Sequence, residues 1–258
     1  MSDPSLAGVG ILVTRPLRQA GEMTAAIESL GGNAFCLPCI DILPRPAAEV
    51  TAAASQLSPP DFAIFVSPNA ARHGLIHAGG GRIAAVGPAT AAAIIAAGST
   101  VDIVPAAGYD SEHLLAEPAL TDVAGKVVRI IRGNQGRELL ADTLRGRGAT
   151  VEYLSVYDRV VPSYTPEELS AVEANFHSGR INAVVVMSVE TLLNLIAILP
   201  ASCHDELART PLVTPAPRVI KEAVDRFPGI PTTLAEGPQT ANIVNAILTL
   251  SPTAPGQS

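Results

Sequence analysis

Tryptophan is absent from this chain, and aromatic residues together make up only 3% of it. The interior must therefore be filled by alanine, valine, isoleucine and leucine. Positive charge is also scarce. Seventeen Lys and Arg stand against 24 Asp and Glu, for a net charge of −7, which argues against a nucleic-acid partner because that would need a basic face. A small anionic ligand stays open, since it needs only a local positive patch. Three cysteines make no disulfide framework. Cys36-Leu-Pro-Cys39 has the redox spacing, but it closes a strand instead of opening a helix where a thiolate would be stabilised, so buried thiols are the plainer reading. No apolar run is long enough to span a bilayer. Met1-Ser-Asp-Pro-Ser lacks the basic and apolar regions of a signal peptide. These absences predict a cytoplasmic protein with no membrane partner, and no exposed apolar run demands a second copy, so a monomer is expected.

Familiar catalytic boxes are missing too. There is no Gly-Lys-Ser/Thr phosphate loop, no Rossmann glycine fingerprint and no Gly-x-Ser-x-Gly elbow. His73 and His77 are four apart on a predicted helix but lack a third ligand, so a solvated face and no metal are expected. Any catalysis must rest on positioning and on one or two proton donors.

What the chain does have is a doubling. Gly10-Ile-Leu-Val-Thr-Arg15-Pro16 leads into an amphipathic stretch that stops at Gly31-Gly32. Lys126-Val-Val-Arg-Ile-Ile-Arg132-Gly133 leads into another that stops at Gly148. Phe65-Val-Ser67-Pro-Asn69 is echoed by Val186-Met-Ser188-Val-Glu190. A repeat present only twice is a duplication, and it predicts two similar α/β domains with a cleft between them.

Ten strands are predicted, at 9–14, 33–37, 62–66, 83–86, 101–104, 127–131, 151–154, 182–187, 211–213 and 231–234. Most are continuous apolar runs, as in parallel strands covered on both faces. Helices intervene: 18–30 carries Ala20, Met23, Ile27 and Leu30 on one stripe, and Thr165-Pro-Glu-Glu168 is a capping box opening a helix to about Phe176. The alternation predicts two doubly wound sheets of five strands. A contiguous split near residue 122 is one option. The other, preferred, comes from Pro38–Pro44 and Ser155–Pro162, which both alternate and end in proline. Segments 39–44 and 155–162 then pair as hinge linkers, 1–38 folds with 163–250, and 45–154 forms the second domain. The Pro, Ser and Gly tail at 251–258 is expected to be disordered.

Ligands in such sheets bind beyond the carboxyl ends of strands, where the uncommon polar residues cluster: Arg15, Ser67, Asn69, Thr90, Ser111, Arg132, Gly133, Arg137 and Ser188. Each serine is either a ligand contact or a helix cap. The loop Arg132-Gly-Asn-Gln-Gly136-Arg137-Glu138 is the most specific: glycines let backbone approach a ligand, and arginines can fork onto carboxylates.

In order and spacing these residues resemble the uroporphyrinogen-III synthase family over about residues 10–248. The motifs that carry the resemblance are Val13-Thr14-Arg15-Pro16, Pro38-Cys-Ile40-Asp-Ile42, Ser67-Pro-Asn69-Ala70, Gly87-Pro-Ala-Thr90-Ala91, Asp110-Ser111-Glu112, Arg132-Gly133-x-x-Gly136-Arg137-Glu138 and Tyr157-x-Arg159. The resemblance implies two flavodoxin-like domains joined by a two-stranded β-ladder. It implies a cofactor-free enzyme whose substrate is the polyanion hydroxymethylbilane. The reaction closes the ring, inverts the last pyrrole and releases water. Tyr157, matching the family's Tyr-x-Arg, is the implied proton donor; packing of its ring is the structural alternative. In the second repeat Met187 replaces the usual threonine, and Val213-Thr214-Pro215-Ala216-Pro217-Arg218 loses the Gly-x-Thr-Ala turn, so Arg218 is read as supplying positive charge there. Two other readings remain: a cytoplasmic two-domain binding or sensor protein that closes on a ligand without catalysis, and a flavin or nucleotide protein.

Overall fold

A computed structural model describes residues 5–250, apart from Tyr109 and Arg137. The tail at 251–258 lies outside the described residues. The first half of the chain runs β1 (Gly10–Val13), α1 (Leu17–Ser29), β2 (Asn33–Cys36), β3 (Asp41–Pro44), α2 (Ala47–Ser55), β4 (Phe62–Phe65), α3 (Pro68–Gly74), β5 (Arg82–Ala85), α4 (Pro88–Ala96) and α5 (Ser111–Leu115). The second runs β6 (Val127–Gly133), α6 (Leu139–Gly146), β7 (Thr150–Val160), α7 (Pro166–His177), β8 (Ala183–Val185), α8 (Val189–Ile198), α9 (His204–Arg209), β9 (Leu212–Thr214), α10 (Pro217–Arg226), β10 (Thr232–Leu234) and α11 (Thr240–Leu248). Among the described residues no helix is long and apolar enough to cross a membrane.

The chain forms two compact units. One takes the chain up to Asp41 and again from Val161; the other is Ile42–Val160. Each contains a five-stranded sheet. In the first unit the order is β10-β9-β8-β1-β2, with every pair parallel. In the second it is β3-β7-β6-β4-β5, with β7, β6, β4 and β5 mutually parallel. Both faces of each sheet are covered, which is why the strands read as unbroken apolar runs. Leu12 and Val184 pack into one layer of the first unit, Ile11, Val13, Ala183 and Val185 into the opposite one. In the second unit Ile64 and Ile130 face one layer, Phe65 and Ile131 the other.

The sequence echo has a topological counterpart. β1, which leads to Arg15, pairs with β8, which leads to Ser188. Its echo β6, ending at Arg132–Gly133, pairs with β4, which leads to Ser67. Each unit therefore sets an arginine-ended strand beside a serine-capped one, at the point where connections leave in opposite directions.

Four expectations need correction. Segment 101–104 gives only a single bridge, Ile103 to Ala84. Pro105 follows at once, and the Asp102 carboxylate takes the Ile83 N–H (2.7 Å). The strand expected at 151–154 is longer: β7 continues to Val160, with β3 as its neighbour and Arg45 bonded to Asp158 (2.8 Å). Cys39 and Cys203 are buried, but Cys36 is exposed because β2 is an edge strand. His73 and His77 share no helix: α3 stops at Gly74 and a 3-10 turn takes over, with both histidines partly buried.

Candidate functional site

β4 and β6 are parallel neighbours, Phe65 opposite Ile131, and the connections that leave their carboxyl ends diverge. Such a switch point is where open α/β sheets hold ligands. A pocket of about 250 Å³ opens there, lined by Val66, Ser67, Ser111, Arg132, Tyr153 and Tyr157 among others. All of its lining residues belong to the second unit.

Tyr157 owes its position to an irregularity. Along β6 and β7 the register runs Ile130 to Tyr153 and Arg132 to Ser155, then slips so that Gly133 faces Tyr157. A bulge of this kind re-aims side chains and is common beside active sites. Consecutive Val156 and Tyr157 are both buried as a result. The tyrosine ring fills the space that a Gly133 side chain would need: a Cβ there would lie 2.6 Å from Cε2. The Tyr157 hydroxyl lies 3.1 Å from Ser67 Oγ. That serine also caps α3, accepting the Ala70 N–H at 3.0 Å.

Arg132 forms the charged wall. Its side chain is only 9% exposed, yet it is paired with Glu138, which is 54% exposed (Nη1 to Oε1, 3.0 Å). Its guanidinium carbon stands 4.6 Å from the centre of the Tyr153 ring. The Tyr153 hydroxyl donates to the other Glu138 oxygen. Together the Tyr153 hydroxyl and Arg132 hold the Glu138 carboxyl below its usual range. Burial, then the Glu138 bond, pushes the Tyr153 phenol up. Gly136 lies against this guanidinium, 2.9 Å from Nη2 to where its Cβ would be. Gly133 thus makes room for the protein's own Tyr157 ring, while Gly136 lines the pocket beside the Arg132 guanidinium.

The other predicted site residues distribute as follows. Ser67, Ser111, Arg132 and Tyr157 meet in the pocket, with Gly133 behind the tyrosine. Asn69 is buried in α3, where its Oδ1 accepts from Arg72 (3.3 Å), and Thr90 is buried in α4. Neither lines the pocket. Asp110, not Ser111, caps α5, accepting the His113 N–H at 2.9 Å. Arg137 lies outside the described residues. Arg15, Ser188 and Arg218 belong to the first unit. There Arg15 reaches the Pro238 carbonyl (2.6 Å) and the Met187 sulfur (3.5 Å), and burial lowers its pKa against the opposing pull of Glu22. Ser188 caps α8 and meets Thr191 Oγ1 at 2.9 Å. Arg218 is exposed in the first turn of α10. Tyr153 is a pocket residue that the sequence analysis does not name; its signal is the two-residue spacing Tyr153, Ser155, Tyr157 on one strand.

A family model described as uroporphyrinogen-III synthase HemD matches residues 21–244. The chain belongs to the uroporphyrinogen-III synthase family. This is a family of enzymes that cyclise hydroxymethylbilane in tetrapyrrole biosynthesis. Uroporphyrinogen-III synthase of Escherichia coli K12 is 30% identical over 201 residues, 74% of this chain and 80% of that one. The Proteus mirabilis enzyme is 30% identical over 177 residues, 63% and 86% of the two chains. Among solved structures, the Helicobacter pylori uroporphyrinogen-III synthetase aligns with a TM-score of 0.65 at 14% identity, covering 94% of this chain and all of that one. A Thermus thermophilus uroporphyrinogen III synthase mutant gives 0.58 at 21% identity, covering 93% and 97%. At those identities the structures speak to the fold alone.

Proposed function

We propose that this chain converts hydroxymethylbilane to uroporphyrinogen III, and that the pocket at the β4–β6 switch point holds the reacting end of that substrate. The observation that carries the reading is the Tyr157 hydroxyl, bonded to Ser67 and set beside the buried Arg132. Ser67 already accepts the Ala70 N–H. If it gives its own proton to the Tyr157 oxygen, the phenol O–H is left to point into the pocket. From there it can donate to the departing hydroxyl as water leaves and the neighbouring pyrrole takes up positive charge. The chain end is then attacked by the substituted carbon of the last ring. Closure without inversion is chemically easier, so the protein must act by fixing orientation.

Arg132 supplies the orienting charge. Its mostly buried guanidinium needs an anionic partner. Glu138, 54% exposed, can turn out to solvent and yield that place to a substrate carboxylate, which keeps the buried guanidinium paired. Arg15, Ser188 and Arg218, with Arg137, are assigned to other substrate carboxylates, and Asn69 and Thr90 to the support of α3 and α4, which carry them. We assign the reaction no cofactor or metal, and the chain no nucleic-acid or membrane partner; it acts as a cytoplasmic monomer. The order of the first sheet, which in chain sequence is 2-1-3-4-5, supports a flavodoxin-like unit. The second unit reaches the same layout by a different chain order. The neighbouring β3 and β7, with Arg45 N–H on the Val156 carbonyl (3.1 Å), support a two-stranded ladder at the joint.

Single-turnover assays of Tyr157→Phe test the assignment. The inverted isomer should form on the order of a hundredfold more slowly, with substrate affinity retained. Unchanged turnover would remove Tyr157 from the chemistry.

A further inference from the structure

Away from this pocket, ligating side chains converge in the first unit. Glu173 and His177 are four residues apart on α7 and so share one face. Cys203 closes the 3-10 turn Ala201–Cys203 that leads into α9. One ligand atom from each of these residues lies within 4.8 Å of the other two. Glu206, in the first turn of α9, places Oε1 3.4 Å from His177 Nε2. Its second oxygen, Oε2, is buried and has no hydrogen-bond partner. None of these residues lines the pocket.

We propose that Glu173, His177, Cys203 and Glu206 form a structural zinc site. Thiolate, imidazole and carboxylate are the donors Zn²⁺ takes, in a tetrahedron. Bonds of about 2.0–2.3 Å set ligand atoms roughly 3.3–3.8 Å apart in that geometry. The His177–Glu206 pair is already at that spacing, while Glu173, His177 and Cys203 hold one ligand atom each within 4.8 Å of one another. Without a cation the grouping rests on His177 Nε2, which lies 3.4 Å from both Glu206 Oε1 and the Ser202 carbonyl. Cys203 is fully buried, and two carboxylates stand around it. Glu206 Oε2 is an unpaired buried acceptor of the kind that costs stability. A dication takes the sulfur as thiolate and balances both carboxylates. The Cys203 proton goes to solvent on binding, as metal–thiolate formation requires.

Four protein donors leave no open position, so the ion is structural and not a catalyst. It would clasp the last turn of α7 to the first turn of α9. Both elements cover the first unit's core through Phe176, Cys203 and Leu207. Ser202 steadies the site from outside, its hydroxyl donating to Glu173 Oε1, in the manner of groups that orient metal ligands.

The test is metal titration of the full chain after chelator treatment. A chromophoric zinc indicator should lose one equivalent of Zn²⁺ per chain, and the melting temperature should rise with added Zn²⁺. Co²⁺ in place of Zn²⁺ should give a near-ultraviolet thiolate band and strong tetrahedral visible bands. Cys203→Ser should abolish the thiolate band, whereas Cys36→Ser, which removes the exposed cysteine, should keep it. His177→Gln, at a partly exposed ring, should weaken Zn²⁺ on the order of tenfold or more, and it decides the matter if the buried serine variant does not fold. No stoichiometric uptake, or uptake that is unchanged in His177→Gln, would overturn the proposal.

Discussion

Gly133 leaves room for the Tyr157 ring and for nothing more, since a Cβ would lie 2.6 Å from one ring carbon and 2.8 Å from another. The neighbour is a rigid ring in a buried layer, so it cannot swing aside cheaply. Gly133→Ala is therefore expected to lose about 1–3 kcal/mol by overpacking and to displace the hydroxyl from Ser67. Urea unfolding should show the first effect and a fall in inverted product the second. Wild-type behaviour in both would mean the ring has slack. At this scale the sequence was legible where a residue type carries its own chemistry: Ser67, Ser111, Arg132 and Tyr157 share one pocket. It was not legible where contact depends on register. The roles of Gly133 and Gly136 turn on a one-residue slip and on the fold-back of Arg132, which local pattern does not encode. Tyr153 and Glu138 became visible as partners of Arg132 only once β6 and β7 were aligned.

Elements begin and end where local bonds dictate. The capping box of α7 is complete: the Thr165 side chain accepts the Glu168 N–H (3.3 Å), and Glu168 returns a bond to the Thr165 N–H (2.8 Å). Thr165→Ala should cost about 1 kcal/mol, read as a lower urea midpoint, and a change within error would show that tertiary packing alone holds the helix start. At the entry to β4, Asp61 accepts the Val127 N–H (2.9 Å) and Lys126 Nζ (3.1 Å), joining it to β6. Those bonds, the backbone one first, hold its carboxyl below the usual range. A carboxylate whose folded pKa is lowered adds stability above its unfolded pKa, and that stability is lost as pH falls through the folded value. Asp61→Asn should thus be less stable than wild type at neutral pH and approach it in strong acid; parallel stability profiles would contradict this. Strand positions followed from apolar runs because both sheet faces are buried. The errors came where backbone pairing is decided elsewhere: Pro105 and Asp102 cut a strand to one bridge at Ile103, and the polar alternation of 155–160 hid the continuation of β7.

Across the whole molecule, the repeated arginine and serine turns occupy matching places in the two sheets, although the chain reaches them in different order. A net charge of −7 would repel a polyanionic substrate unless arginines were concentrated at those turns. The account therefore places ring inversion in the arrangement of a few fixed charges and one phenol. Its most direct test is the isomer composition formed from freshly prepared hydroxymethylbilane, with products oxidised and separated. The account predicts mostly the inverted isomer III in the presence of the protein, shifting toward isomer I in Tyr157→Phe. Isomer I alone, with and without the protein, would contradict it.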